Sequence, residues 1–365
     1  METNKKGKSR TSKSTSHKNV KWLFCTFLIF ILPNCHQNRS TFSTPAFYHW
    51  KTNLKLSNPE QESLSRLQVK KIYTKFFDLD LDAKKQAVPL ASLQCPNLMP
   101  DSVQIIPTIF ITNRTLKRQS SERLQKLAQR IFQKINTIWQ TVSNNKIKEI
   151  QFDCDWTPST KENYFLFLKY FRAILNKHKQ EACKISATIR LHQIKYPEQT
   201  GIPPVDRGML MFYNMDDLEN IETKNSILDL SIAKRYLNQN SDYDLPLDIA
   251  LPIFRWGVLF RNGKMIKLIN NLDRTDLEDT SRFVSLAENQ YEVRKSTYLK
   301  GYYLYGADVI RLEWVSEEEL LDAATFLDGV FDNNENTISL YQLDTSTLKH
   351  YTDETLQQVF QIFSD

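Results

Sequence analysis

The chain has 365 residues, 41% of them apolar, with 21 Phe and 15 Tyr, which is enough for a sizeable core and excludes a wholly disordered protein. Its net charge of +6 is concentrated at one end. Seven of the 48 basic residues and one of the 42 acidic residues lie within residues 1–34, leaving 41 of each. The remainder has no surplus of cations to neutralise a phosphate backbone, so a nucleic-acid partner is not expected.

Met1–Lys21 is basic and rich in Ser and Lys, and the run Trp22–Leu32 that follows is almost wholly apolar. A positive segment before a short apolar one is the pattern of a secretory signal. Eleven residues are too few for a spanning helix, which needs roughly 20. Leu32-Pro-Asn-Cys35 then resembles a bacterial lipobox, which implies that residues 1–35 are a signal and that Cys35 is lipidated. The alternative is an ordinary signal peptide with an incidental cysteine. Residues 36–46 read as a polar tether. No acidic run follows Cys35, which favours the periplasmic face of a bacterial envelope over the cell surface. The expected partners are therefore a membrane, through the anchor, and a ligand of the mature domain, with the protein a monomer. Cys95, Cys154 and Cys183 show no paired spacing, so neither a disulfide framework nor a metal site is expected.

From Phe47 to residue 365 the chain alternates β-rich runs with helical stretches. Eight strand runs stand out: Phe47–Lys51, Lys71–Leu79, Val103–Thr112, Glu149–Trp156, Ile185–His192, Gly208–Asn214, Leu247–Phe254 and Ile338–Leu343. Between Ser121 and Trp139 the residues Leu124, Leu127, Ile131, Ile135 and Ile138 recur at helical spacing. Ser159-Thr-Lys-Glu162 and Ser316-Glu-Glu-Glu319 have the form of capping boxes that open further helices. Eight β–α units over this length predict a single closed (β/α)8 TIM barrel. The rival, a doubly wound open sheet, usually carries a Gly-rich phosphate turn; here there are eight glycines and no G-x-G-x-x-G, so no nucleotide cofactor is expected either. Residues from about 255 to 315, with the hairpin-like Val258–Ile266, form an insertion after strand seven, on the face where barrel enzymes carry their chemistry.

Strand alternation within Glu149–Trp156 sends Ile150, Phe152 and Cys154 one way and Gln151, Asp153 and Asp155 the other. The second set is expected to face the barrel interior, with two carboxylates at the strand's C-terminal end. Such neighbours raise one another's pKa and can keep one acid protonated near neutrality. The alternative role for the aspartates is loop capping or charge pairing. In Ile185–His192 the polar set is Ser186, Thr188, Arg190 and His192, and Arg190 is positioned to pair with Asp155. Trp50, Trp156, Trp256 and Trp314 are candidate stacking surfaces for sugar rings, or simple packing at the barrel top.

Phe152-Asp-Cys-Asp-Trp-Thr157 resembles the fourth-strand D-x-D-W-E ending of family 18 chitinases, and Met211-Phe-Tyr-Asn214 resembles their M-x-Y-D. The insertion also lies where those enzymes carry an α+β module. The D-C-D-W-T strand is similar as well to glycosidase-like barrels of bacterial lipoproteins. The resemblance implies a glycoside hydrolase-like protein with a carbohydrate ligand, in which Asp153 and Asp155 are supporting carboxylates and Tyr213 and Asn214 contact the acetamido group. Thr157 stands where the family has its proton-donating Glu, and Asn214 where it has an Asp. Three possibilities follow: Asp155 takes the acid role, Glu313 supplies it from the insertion, or the barrel binds glycan without cleaving it. A platform for envelope assembly is a further reading, since fold does not fix function.

Overall fold

The computed structural model describes residues 42–237, 243–331 and 335–364. Eight strands form a closed parallel ring: β1 (Phe42–His49), β2 (Lys71–Leu81), β3 (Gln104–Ile111), β4 (Glu149–Asp153), β5 (Lys184–Ile189), β6 (Arg207–Met211), β7 (Leu247–Pro252) and β8 (Glu335–Tyr341). Each pairs with its sequence neighbours, and β8 and β2 both flank β1, which closes the sheet. Both faces of the ring are covered. Every residue of β4 and of β7 is buried, as expected of parallel strands between a filled interior and a helix layer.

All eight anticipated strands are present, with shifted ends. β1 starts at Phe42, so residues 42–46, read as part of a tether, are strand, and the strand ends at His49 rather than Lys51. The remaining tether and the candidate lipidation site Cys35 lie outside the described residues. β4 stops at Asp153, three residues before the end of the run that predicted it.

The helix layer includes Asn58–Arg66, Ser121–Val142, Lys161–Lys177, Glu317–Asp328 and Asp353–Ile362. Ser121–Val142 buries Leu124, Leu127, Ile131, Ile135 and Ile138, as their spacing required. The β2–β3 connection departs from the alternation. There the chain turns back as an antiparallel strand, Ala87–Leu90, paired with the end of β2. Asp82 makes this possible: its Oδ1 accepts the backbone N–H groups of Lys84 and Gln86 and closes the turn.

The insertion is a five-stranded antiparallel sheet in the order Lys264–Asn270, Trp256–Arg261, Val309–Glu313, Gln290–Val293, Phe283–Ala287, with an added hairpin of Thr297–Leu299 and Tyr302–Leu304. The expected hairpin turns at Asn262 and Gly263, both at positive φ. Leu259, Ile269, Leu272, Phe283, Val293 and Ile310 give the sheet its own core. Gly257 permits the close packing, since a Cβ there would lie 2.3 Å from the Leu272 side chain.

One predicted capping box is correct and the other is not. Ser316 Oγ accepts from the Glu319 N–H at 3.2 Å, and the Glu319 carboxylate accepts from the Ser316 N–H at 2.8 Å. The helix after β4 begins instead at Lys161 with Thr160 at the cap position, and the Thr160 hydroxyl caps no helix N–H because it bonds Asn113 and the Thr157 N–H. Ser316→Ala is therefore expected to cost about 1 kcal/mol, whereas Ser159→Ala should fall within about 0.5 kcal/mol of wild type; urea unfolding midpoints of the two variants check this.

Candidate functional site

At the C-terminal ends of the strands the ring opens into a cleft with two lobes. One, of about 450 Å³, is lined by Trp50, Asp153, Arg190, Tyr213, Asn214, Phe254, Trp256 and Tyr341 among others. The other, of about 250 Å³, is lined by Asp155, His192, Met215 and Tyr236 together with the same Arg190, Tyr213 and Asn214. These three residues form the junction. Volumes of this order suit a small ligand.

The interior beneath is polar along its whole height. Near the bottom Arg207 holds Asp248 at 2.8 Å, and Ser186 donates to Glu149 at 2.6 Å. Burial pushes the Glu149 carboxyl up, against the lowering effect of Ser186 and Lys71. In the middle Tyr48 Oη donates to Gln151 Oε1 at 2.7 Å. At the top Asp153 Oδ1 accepts from Thr188 Oγ1 at 2.7 Å and from Arg190 Nη2 at 3.0 Å. Burial works against the Arg190 charge, but the Asp153 carboxylate, followed by Tyr213, holds its pKa above the ordinary arginine value.

Glu149, Gln151 and Asp153 thus face inward as the alternation required, while Phe152 packs edge-on against Phe167 and Phe171 of the helix layer. Asp155 does not follow. Alternation persists only while the backbone is extended, and β4 ends at Asp153. Asp155 lies on the exposed rim, its Oδ1 3.8 Å from His192 Nε2. The expected Arg190–Asp155 pair is replaced by Arg190–Asp153.

An aromatic chain lines the first lobe. Tyr341 touches Trp50 at 5.8 Å between ring centroids, Tyr213 at 5.4 Å and Phe254 at 5.6 Å. Phe254 in turn meets Trp256 at 4.9 Å. Trp50 and Trp256, two of the four tryptophans singled out, are in the cleft. Trp156 is not: it is fully buried, stacked on Tyr164, with Nε1 donating to the Thr200 carbonyl at 2.8 Å. Trp314 packs on the core of the insertion with Arg274 over its ring.

Glu313 lines neither lobe. It is buried in the insertion's third strand in spatial order, paired with Arg311 Nε at 2.6 Å, and accepts from Ser226 Oγ at 2.5 Å and Trp256 Nε1 at 2.7 Å. It holds the indole N–H of Trp256, whose ring is among those lining the first lobe. Thr157, where the resemblance places a proton donor, shares hydrogen bonds with Asn113, Ser159 and Thr160 at the head of the following helix. Asn214 holds a left-handed conformation, φ +56°, at the lobe junction. Tyr341 and Phe254 escaped the sequence reading. The signal was available, since both continue the inward alternation of their strands past Ser339 and Pro252.

By sequence the chain matches no protein-family model and no curated protein. By structure it is similar to the Group IV chitinase of Ostrinia furnacalis, at 10% identity over 88% of this chain and 100% of that one, with a TM-score of 0.50. It is similar too to the spore cortex-lytic enzyme SleL of Bacillus cereus, at 12% identity over 89% of this chain and 75% of that one, TM-score 0.48. The class V chitinase of Nicotiana tobaccum gives 12%, 87%, 99% and 0.47. Identities this low bear on fold alone, and the first of the three carries it. The protein is a (β/α)8 barrel, chitinase-like in fold, with a β-rich insertion after its seventh strand.

His49, at the end of β1, is buried, and burial, helped by Lys51, lowers its pKa to about 4. An unfolded histidine titrates near 6.5. Between those values the unfolded chain takes up a proton that the folded one refuses, so stability falls as pH drops from about 6.5 to about 4, by roughly 3 kcal/mol in all. Unfolding midpoints at pH 7 and 4.5 are expected to converge when His49→Gln is compared with wild type, after allowance for its fixed cost.

Proposed function

We propose that this protein is an envelope-anchored carbohydrate-binding barrel that holds a saccharide at its mouth without an acid of the chitinase kind. The pairing of Asp153 with Arg190 is the observation that supports this most directly. The carboxylate at the end of β4 is committed to a cation and a hydroxyl, and Thr157 offers only an alcohol hydroxyl at the position where the resemblance expects a carboxylic acid. Around the pair, Trp50, Phe254, Trp256 and Tyr341 offer the aromatic surface on which sugar rings pack, and Asn214 and Arg190 offer hydrogen-bonding groups at the lobe junction. Hydrolysis is the second reading, favoured by one feature: Asp155 is exposed at the second lobe beside His192.

Calorimetric titration of the purified protein with oligosaccharides, paired with product analysis, separates the two. Binding with no cleavage is expected, and Trp256→Ala should weaken it about tenfold. Cleavage that disappears in Asp155→Asn would establish the hydrolase instead. Absence of binding to any saccharide would remove both readings.

Anchoring belongs to the same proposal. Cys35 is taken as the lipid-bearing first residue of the mature chain, on the periplasmic side. Cys35→Ser is expected to move the protein from the membrane to the soluble fraction and to remove the lipid mass from its N-terminal peptide. A wild-type protein already soluble and unlipidated would refute it.

A further inference from the structure

A second concave surface lies outside the cleft. The hairpin that replaces a helix after β2 stands against the helix Ser121–Val142, and between them runs a groove of about 710 Å³. Its lining includes Lys84, Lys85, Arg123, Lys126 and Arg130, and no acidic side chain. All five cations are exposed, and none is among the ion pairs of the described residues. Acids also lie on the same two segments. Asp82 closes the hairpin turn, Asp80 is held by Arg114, and Glu122 sits at the cap of the helix with Lys126 as its only cation. Against equal numbers of acids and bases in residues 35–365, this is a marked local separation of charge.

Helical spacing explains the alignment. Arg123, Lys126 and Arg130 fall on one stripe, seven residues from end to end, or about 10 Å along the helix axis. Lys84 and Lys85 face that stripe from the hairpin. Three amides, Gln86, Gln119 and Gln129, are interleaved with the cations; Gln119 Nε2 donates to the Thr115 carbonyl at 2.9 Å, which leaves its oxygen free to accept. Both walls begin at the C-terminal ends of barrel strands, β2 and β3, so the groove lies on the same rim of the barrel as the cleft.

We propose that this groove binds the acidic groups of a linear anionic saccharide chain. The ligand class rests on the reading of the mouth as a saccharide site; the anionic requirement stands on the groove alone. Cations pair with carboxylate or phosphate groups, and the glutamine amides match hydroxyls between them. No aromatic side chain lines the groove, so nothing there stacks a nucleobase. Its apolar lining, Ala87 and Leu127, is recessed, and a concave wall does not meet a flat lipid surface.

The test titrates the purified full chain in detergent with oligogalacturonate, a phosphodiester-linked poly(N-acetylglucosamine 1-phosphate), a neutral N-acetylglucosamine oligosaccharide and an oligothymidylate. The same titrations are made on the Arg123→Gln/Arg130→Gln double variant, whose exposed substitutions should leave the thermal transition unchanged. At least one acidic saccharide polymer is expected to bind, to weaken as salt rises, and to lose about tenfold or more in affinity in the double variant. The two acidic polymers distinguish carboxylate from phosphate as the recognised group. Failure of both to bind at low salt, or equal affinity in the double variant, overturns the proposal. So does oligothymidylate binding as tightly with the same loss, which marks an unselective cationic surface. Neutral oligosaccharide binding reports on the mouth separately: its absence beside retained acidic binding counts against the mouth reading and leaves the groove.

Discussion

Closing eight parallel strands into a ring turns the inward half of each strand into one shared interior, where a polar group has no water to fall back on. The protein places polar side chains in that interior and pairs many of them with one another, although Gln151 Nε2 and Ser339 Oγ stay without a hydrogen-bond partner. Arg207 meets Asp248 and Ser186 meets Glu149 low in the ring, Tyr48 meets Gln151 in the middle, and Arg190 with Thr188 meets Asp153 at the top. The last of these groups is the one that reaches the cleft. What a ligand meets there is a fixed ion pair framed by aromatic rings, a surface suited to holding and orienting a neutral or polar molecule. A lone carboxylate in the same place would carry a very different chemistry, because burial without a cation pushes a carboxyl towards its protonated form.

The insertion is joined to this surface by a second buried charge. Glu313 lies on an insertion strand, yet its carboxylate binds Arg311, Ser226 and the indole of Trp256 together. Arg311 in turn donates to the carbonyls of Leu218 and Asn220 in the loop after β6. The position of Trp256 in the cleft is therefore tied to the seating of the whole five-stranded sheet. A buried pair of this kind is a weak source of net stability, but loss of one partner strands the other. Its effect is geometric: the module and the cleft wall are set by one network.

Charge is distributed by the same logic. Most buried charges, such as Asp153, Asp248, Asp308 and Glu313, have a basic partner. Five of the cations outside these pairs line one groove on the rim, between the β2 hairpin and the neighbouring helix. A balanced total conceals this, because counting residues says nothing about where the pairing is done.

The local rules in the sequence were enough for the strand count, the long amphipathic helices, the Ser316 cap, the Asn262–Gly263 hairpin and the inward set Gln151 and Asp153. Each depends on spacing within a few residues, where periodicity translates directly into direction. The ends of the elements were decided by competition with distant groups. The helix after β4 starts behind Thr160, whose hydroxyl bonds Asn113 of another connection rather than the helix, and β4 stopped short, which put Asp155 on the rim and gave Arg190 to Asp153. Trp156, Trp314 and Glu313 were plausible cleft residues by composition; only the packing of the helix layer and of the insertion sent them elsewhere. A sequence determines which side of a strand a residue occupies. Which partner waits on that side is a property of the closed ring, because partners such as Asp153 and Arg190, or Trp256 and Glu313, are brought together only when separate segments fold against one another.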